Sequence, residues 1–79
     1  MDRLEALAFV IRDARRNKNL SQERLAELAK LHRNFVSFVE LAKSRPAIDS
    51  IFAIADALGV RASMLIALAE DMAEKSEKK

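Results

Sequence analysis

The chain of 79 residues has no cysteine, and it has only one histidine, one glycine and one proline. Without cysteine it can form no disulfide framework and no thiolate metal site, and one histidine cannot build a zinc centre by itself. We therefore expect neither a metal nor a cofactor. With so few glycine and proline residues to interrupt it, the chain can form a core only if helices pack closely, and an oligomer interface would help.

Long apolar stretches are also missing. The longest run without a charged residue lies between Arg61 and Glu70. This run is far too short to span a bilayer, and no secretory signal precedes it. No nucleophile–base pair, metal cluster or glycine-rich phosphate loop is visible, so we do not expect an enzyme. These absences predict a soluble cytoplasmic protein that does not enter a membrane.

Charge is distributed unevenly along the chain. Residues 1–45 contain ten Lys and Arg against six Asp and Glu, whereas residues 46–79 contain four against six. A basic half followed by a mildly acidic half suggests one side that faces a polyanion and a second side with another task. Ordinary surface charge is the alternative interpretation.

Apolar residues recur at spacings of three and four, and no segment alternates with period two, so we predict an all-α fold. The expected helices cover residues 2–17, 22–29, 33–40, 48–58 and 62–74, followed by a polar tail over residues 75–79. No linker or repeat divides residues 1–79, which are therefore expected to form one domain. We expect Leu28 to face inward on the second helix, and Ile48 and Phe52 to belong to the apolar pattern of the fourth.

The segment from Leu20 to Glu40 has the pattern of two short amphipathic helices joined by a tight turn. The second helix opens with Arg33 and Asn34, and Ser37 lies on the same face one turn later. Helix-turn-helix proteins place this part of the second helix against base edges in the major groove. Arginine can bind guanine and asparagine can bind adenine with two hydrogen bonds each, whereas serine is permissive. The pattern favours base contacts by these three residues over a merely solvated polar face.

Polar and cationic residues flank this candidate recognition helix. Because a helix N-terminus offers N–H groups to phosphate, we expect Ser21 and Gln22 to bind the DNA backbone. Gln22 can also support a neighbour on the following helix. The other candidates for phosphate contact are Lys43, Ser44 and Arg45, on the loop after the recognition helix, and Arg16, near the end of the first helix. Such contacts position a protein without reading sequence, and a solubilising loop is the alternative.

The last helix carries an apolar stripe formed by Met64, Leu65, Leu68 and Met72. Four helices already close a core of this type, so the stripe leaves apolar area that a symmetric partner can cover. A half-site of three or four base pairs is also too short to be specific alone. We therefore predict a dimer interface here, with padding of the monomer core as the alternative.

The sequence resembles the lambda-repressor/Cro-like helix-turn-helix family over roughly residues 4–70, and within that family it is most similar to restriction–modification controller proteins. The matching segments are Leu20-Ser21-Gln22-Glu23, Leu25-Ala26, Leu31-His32-Arg33, Phe35-Val36-Ser37, Glu40, Pro46 and Ala57-Leu58-Gly59-Val60. The resemblance implies a compact five-helix domain, a homodimer, and a third helix in the major groove of a near-palindromic operator. It also implies a structural ion pair between Arg15 and Glu40.

Some residues depart from the family pattern. Lys30 stands where glycine is usual in the turn, and a left-handed backbone there would cost about 1–2 kcal/mol. Phe38 stands where small or polar residues usually face the groove. Two roles are open for it, contact with a thymine methyl group or packing against Phe35 and Leu41, and packing is favoured.

The sequence as a whole predicts a sequence-specific transcriptional regulator that binds its operator as a homodimer. The resemblance to controller proteins further implies that the protein regulates its own gene and a neighbouring restriction enzyme. Two alternatives stay open: a phage-type repressor or an antitoxin, and a helical protein-interaction module without specific DNA binding. The expected partners are double-stranded operator DNA and a second copy of the chain, with RNA polymerase as a further candidate.

Overall fold

The computed structural model describes residues 1–77, which form five α-helices and no strand. The helices are α1 (Arg3–Asn17), α2 (Gln22–Ala29), α3 (Arg33–Glu40), α4 (Ile48–Leu58) and α5 (Ala62–Glu77). The predicted all-α class, with a helix-turn-helix formed by α2 and α3, is confirmed.

Helix α1 begins one residue later than the sequence pattern predicts, because Asp2 is its N-cap. The Glu5 N–H donates to the Asp2 carboxylate at 2.8 Å, and the Asp2 N–H donates to the Glu5 carboxylate at 3.1 Å. This reciprocal capping box satisfies N–H groups that the helix itself leaves unpaired.

Helix α5 continues to Glu77 and therefore overturns the prediction that the helix ends at residue 74. Glutamate and lysine have favourable helix propensities, and no glycine or proline stands here to stop the helix. A helix can thus continue without adding apolar residues. Residues 78–79 of the predicted polar tail lie outside the described residues.

All five helices contribute to one apolar core. Its large, fully enclosed side chains are Ile11, Leu25, Val36, Val39, Ile54, Leu58 and Leu65. Helix α1 packs along α5, whereas α2 packs against both α3 and α4, and α3 also contacts α1. The helix-turn-helix unit is therefore supported from behind by α1 and α4, which leaves its outer side to solvent.

Three apolar side chains that the sequence pattern assigns to the core lie at the surface instead. Leu28 is exposed because Leu25 and Ala29 already fill the inner side of the short helix α2. Ile48 and Phe52 are exposed because α4 buries a neighbouring face, centred on Ile51 and Leu58. Ile48 and Phe52 are four residues apart, so they share one flank of α4.

Among residues 1–77 no single helix is long and apolar enough to cross a membrane. Helices α4 and α5 reach such a length and apolar content only as a pair, and the pair is bent by 104° at its break. Both helices supply buried side chains to the core.

The turn between α2 and α3 contains Lys30 in the left-handed conformation, with φ 58° and ψ 43°. We expect Lys30→Gly to raise the free energy of unfolding by about 1 kcal/mol, because glycine lacks the Cβ that makes this conformation costly. The greater freedom of glycine in the unfolded chain offsets part of the gain. Urea unfolding monitored by circular dichroism measures the change.

Lys18 provides a matched control, because it caps α1 at φ −90°. Lys18→Gly relieves no left-handed strain and should not stabilise the protein. A neutral or destabilising effect of Lys30→Gly would show that strain in the turn does not exceed the entropic cost of glycine, and would contradict the prediction.

Candidate nucleic-acid interface

A buried ion pair connects the first and third helices. The Arg15 Nε lies 2.7 Å from Glu40 Oε2, and Arg15 Nη2 donates to Glu40 Oε1 at 2.9 Å. The Arg15 side chain is 10% exposed and the Glu40 side chain 1%. Arg15 also donates through Nη1 to the Leu20 carbonyl at 2.7 Å. The two-point geometry is the strong form of such a pair, and it joins α1, the start of the helix-turn-helix unit and the end of α3.

Gln22 extends this network to the first turn of α2. Its side-chain amide donates to Glu40 Oε1 at 3.1 Å. The same NH₂ group carries a second hydrogen, which it can donate to a phosphate. The arrangement combines the two roles that the sequence suggests for Gln22, with the support of α3 present in the structure and the phosphate contact remaining a prediction.

Ser21 precedes Gln22 and caps α2. Its side-chain oxygen accepts the Arg24 N–H at 3.0 Å. A serine hydroxyl that accepts in this way still carries a hydrogen, which it can donate to an anion. The first turn of α2 thus presents a hydroxyl and an amide at the positive end of the helix dipole, where phosphate binding is favoured.

The N-terminal turn of α3 presents the residues that the sequence assigns to base contacts. Arg33 and Asn34 are exposed, whereas Ser37, one turn later, is half-buried. The opposite side of α3 is buried through Val36 and Val39. One side of the helix is therefore buried in the core, while Arg33 and Asn34 are accessible to a ligand.

His32 is the N-cap residue of α3, but its side chain makes no capping hydrogen bond. The first N–H groups of α3 are thus without a side-chain cap at the surface where Arg33 emerges. Such a helix start can approach an anionic backbone.

The loop after α3 holds the other cations expected near DNA. Lys43 and Arg45 are exposed and Ser44 is half-buried. The Lys43 N–H donates to the Phe38 carbonyl at 2.9 Å, which fixes the start of the loop against α3. Arg16 is exposed in the last turn of α1, next to the buried Arg15. These residues are accessible for the phosphate contacts that the sequence predicts.

Phe38 and Leu41, near the C-terminal end of α3, are both exposed. The packing role favoured for Phe38 is therefore incomplete, because half of its surface stays uncovered. An exposed aromatic ring at this position retains the ability to contact a thymine methyl group.

The four α5 residues expected at a dimer interface divide into two groups. Met64 and Leu68 are exposed and Met72 is half-buried, but Leu65 is completely enclosed. The assignment of Leu65 to a dimer surface is therefore wrong. Leu65 is in register with the buried Ala69 at a spacing of four, so it lies on the side of α5 that faces the monomer core.

The exposed part of this stripe borders an open groove of about 720 Å³ between α1 and α5. Phe9 from α1 lines it together with Met64, Leu68 and Met72. The charged residues along the groove are Asp13, Lys18, Asp71 and Lys75. The groove is thus lined mainly by apolar side chains, with one acidic and one basic residue on the α1 side, where Lys18 is the C-cap, and one of each on α5.

The sequence pattern predicts no contact for Glu23, an acidic residue in the first turn of α2. In the structure Glu23 Oε1 lies 3.8 Å from Arg33 Nε, across the turn. The contact joins the first turns of the two helices on their outer side. Spacing within a single helix could not reveal it, because the two residues belong to different helices.

Comparison with known proteins gives one consistent family. The helix-turn-helix family model matches residues 11–65. Control protein C.SmaI of Serratia marcescens is 36% identical over 66 residues, which cover 84% of this chain and 79% of that protein. The immunity repressor protein of Bacillus phage phi105 is 31% identical over 72 residues, and the chain spans about half of its length, 50%.

A solved structure supports the same family. The restriction-modification controller protein C.AhdI from Aeromonas hydrophila superimposes with a TM-score of 0.77 at 34% sequence identity. The match covers 78% of this chain and 94% of that one.

Proposed function

Because this chain belongs to the lambda-repressor/Cro-like helix-turn-helix family of DNA-binding transcriptional regulators, we propose that it binds a near-palindromic operator as a homodimer. The observation that carries the proposal is that α3 has one buried side and one exposed side. Its inner side is locked into the core by Val36, Val39 and the Glu40 ion pair. Its first turn holds Arg33 and Asn34 at the surface.

In this proposal the first turn of α3 enters the major groove. Arg33 donates two hydrogen bonds to guanine O6 and N7, and Asn34 makes the matching pair of contacts with adenine. Ser37 lies one turn further along and contacts either kind of base. The first turn of α2, the loop after α3 and Arg16 bind flanking phosphates, which positions α3 without contributing sequence preference.

We further propose that the protein is a controller of the restriction–modification type, which regulates its own gene and an adjacent restriction gene. Two of the relatives described above are named as controllers, and the chain matches 79% and 94% of their lengths. The phage repressor is matched over 50% of its length, and a phage-type repressor is therefore the second candidate. Such a regulator acts at a promoter in the cytoplasm, where RNA polymerase is a candidate partner.

A second copy of the chain is the proposed occupant of the groove between α1 and α5. Met64, Leu68 and Met72 supply apolar surface there, together with Phe9. In a two-fold interface the same patch meets itself, so a patch with balanced charges can pair acids with bases. Asp13 on α1 with Lys18 at its C-cap, and Asp71 with Lys75 on α5, provide this balance. The exposed flank of α4, with Ile48 and Phe52, is the competing surface.

We expect Leu68→Glu to shift the protein from dimer to monomer, because it places a charge in the apolar part of the proposed interface. Leu68 is 46% exposed, so the monomer fold should tolerate the change. Sedimentation equilibrium across a concentration series measures the dimer dissociation constant, and operator affinity should fall in parallel. Phe52→Glu, at a position 52% exposed on α4, is the matched control. A dimer lost only in Phe52→Glu would place the interface on α4 and contradict the groove assignment.

Selection of binding sites from random DNA duplexes tests the proposed function as a whole. We expect a near-palindromic motif whose half-sites lie about one helical turn, roughly 34 Å, apart. Its presence upstream of the protein's own gene would support the controller assignment over the phage-type repressor. If no motif is enriched and binding disappears at moderate salt, only nonspecific electrostatic attraction remains, and the proposal fails.

A further inference from the structure

A carboxylate on the DNA-facing side of the helix-turn-helix unit needs a physical explanation. Glu23 is 76% exposed in the first turn of α2, and its Oε1 lies 3.8 Å from Nε of Arg33, whose side chain is 58% exposed. An anion here opposes attraction to phosphate, since like charges repel. An exposed pair at this distance also contributes little to stability. Glu23 has a favourable place at the positive end of the α2 dipole, but neither the stability of this ion pair nor general attraction to DNA explains why it lies beside Arg33.

The edge of the guanidinium that Glu23 approaches is informative. An arginine side chain has five N–H donors in a fixed planar arrangement. Glu23 lies beside Nε, and binding of guanine O6 and N7 needs only two further donors. A carboxylate at the Nε edge therefore leaves the terminal nitrogens for a base. It also favours one orientation of a long side chain that is otherwise exposed.

Glu23 itself is attached to a firmly held piece of backbone. Its neighbour Gln22 donates to Glu40 Oε1 at 3.1 Å, and Glu40 is held by Arg15. On the other side, Ser21 caps the helix through its hydroxyl. Both helices of the unit are thus joined to the same buried ion pair, so the backbone that carries Glu23 occupies a defined position relative to α3.

We propose that Glu23 is a specificity-determining positioning residue, which holds the Arg33 guanidinium by its Nε edge and directs the terminal nitrogens at guanine. The inference rests on the proposed function, because it requires Arg33 to contact a base. When DNA excludes water from this surface, the attraction between the two side chains strengthens. At a wrong base the terminal nitrogens of the arginine, held in this orientation, lose their acceptors. Glu23 thus favours the correct site and penalises others, which together make specificity.

Glu23→Gln is the direct test, and Glu27→Gln is its matched control. Glu27 is on the same helix and 69% exposed, but it pairs with Arg24 at 3.0 Å and not with α3. The two variants change net charge equally. The dissociation constants are measured on the selected operator and on a scrambled duplex at one salt concentration.

For Glu23→Gln we expect tighter binding to scrambled DNA. We also expect the preference for the operator to drop by about 5- to 10-fold, which is part of the discrimination that one bidentate contact between arginine and guanine provides. The loss should be confined to the base pair at which Arg33→Ala relaxes specificity. For Glu27→Gln we expect equal tightening on both duplexes. In an Arg33→Ala background, Glu23→Gln should also affect both duplexes equally, because the residue it positions is gone.

Two results would overturn the inference in different ways. If Glu23→Gln tightens binding to operator and scrambled DNA equally, as its control does, Glu23 acts only through net charge, and the proposed function survives. If the wild-type protein does not distinguish the two duplexes, the proposed function fails and the role of Glu23 fails with it.

Discussion

Arg15→Ala should lower the free energy of unfolding by about 3–5 kcal/mol, the cost of leaving a buried charge without its partner. The Glu40 side chain is 1% exposed and accepts two hydrogen bonds from Arg15. The substitution also removes the donor to the Leu20 carbonyl. A small domain is typically stable by about 5–15 kcal/mol, so the variant should unfold at a much lower urea concentration. Equilibrium urea unfolding gives the difference.

Two controls separate this effect from the loss of any ion pair. Arg24→Ala removes the pair with Glu27, whose side chains are 57% and 69% exposed, and should cost less than about 1 kcal/mol. Replacing Arg15 and Glu40 together by Met removes both charges and should cost less than Arg15→Ala alone, because no charge is stranded. If Arg15→Ala and Arg24→Ala are equally mild, the buried pair does not organise the fold.

Arg33→Ala should weaken binding to the selected operator by about 1–3 kcal/mol, or roughly 5- to 150-fold, and relax the preference at one base pair in each half-site. The reason is that two hydrogen bonds to one guanine are lost while the phosphate contacts stay. Fluorescence anisotropy with the operator, its single-base variants and a scrambled duplex measures both effects. Arg33 is exposed, so unfolding should not contribute.

Lys43→Ala removes a proposed phosphate contact, and comparison with this variant shows whether Arg33 contacts a base. Lys43 is exposed on the loop after α3, where a cation meets phosphate in the proposed complex. Its removal should weaken binding to every sequence and reduce the slope of the salt dependence by about one unit. If Arg33→Ala and Lys43→Ala have the same effect on operator and scrambled DNA, the proposed division into base and phosphate contacts is wrong.

The parts of the fold that the sequence predicts depend on neighbouring residues. The Ser21 cap of α2 and the left-handed Gly59 that ends α4 are local signals, because each satisfies backbone groups within one turn. The pairing of Arg15 with Glu40, 25 residues away in sequence, could not come from such signals. Only the resemblance to a known family implies this pair.

The errors concern which side of a helix meets its neighbours. Leu65 and Leu68 both belong to the apolar stripe of α5, but α1 and α4 cover only the side that carries Leu65. Periodicity finds the apolar residues of a helix, whereas the crossing of neighbouring helices decides which of them are enclosed. The exposure of Phe52 on α4 and the contact of Glu23 with Arg33 depend in the same way on tertiary geometry.

Methylation interference with dimethyl sulfate tests the central claim, that α3 reads guanine in the major groove through Arg33. The reagent methylates guanine N7 in the major groove and adenine N3 in the minor groove. On the selected operator, methylation of one guanine in each half-site should block binding of the wild-type protein, at positions about one helical turn apart. The same guanines should no longer interfere with binding of Arg33→Ala. Interference only at adenine N3, or interference that Arg33→Ala retains in full, would contradict the account.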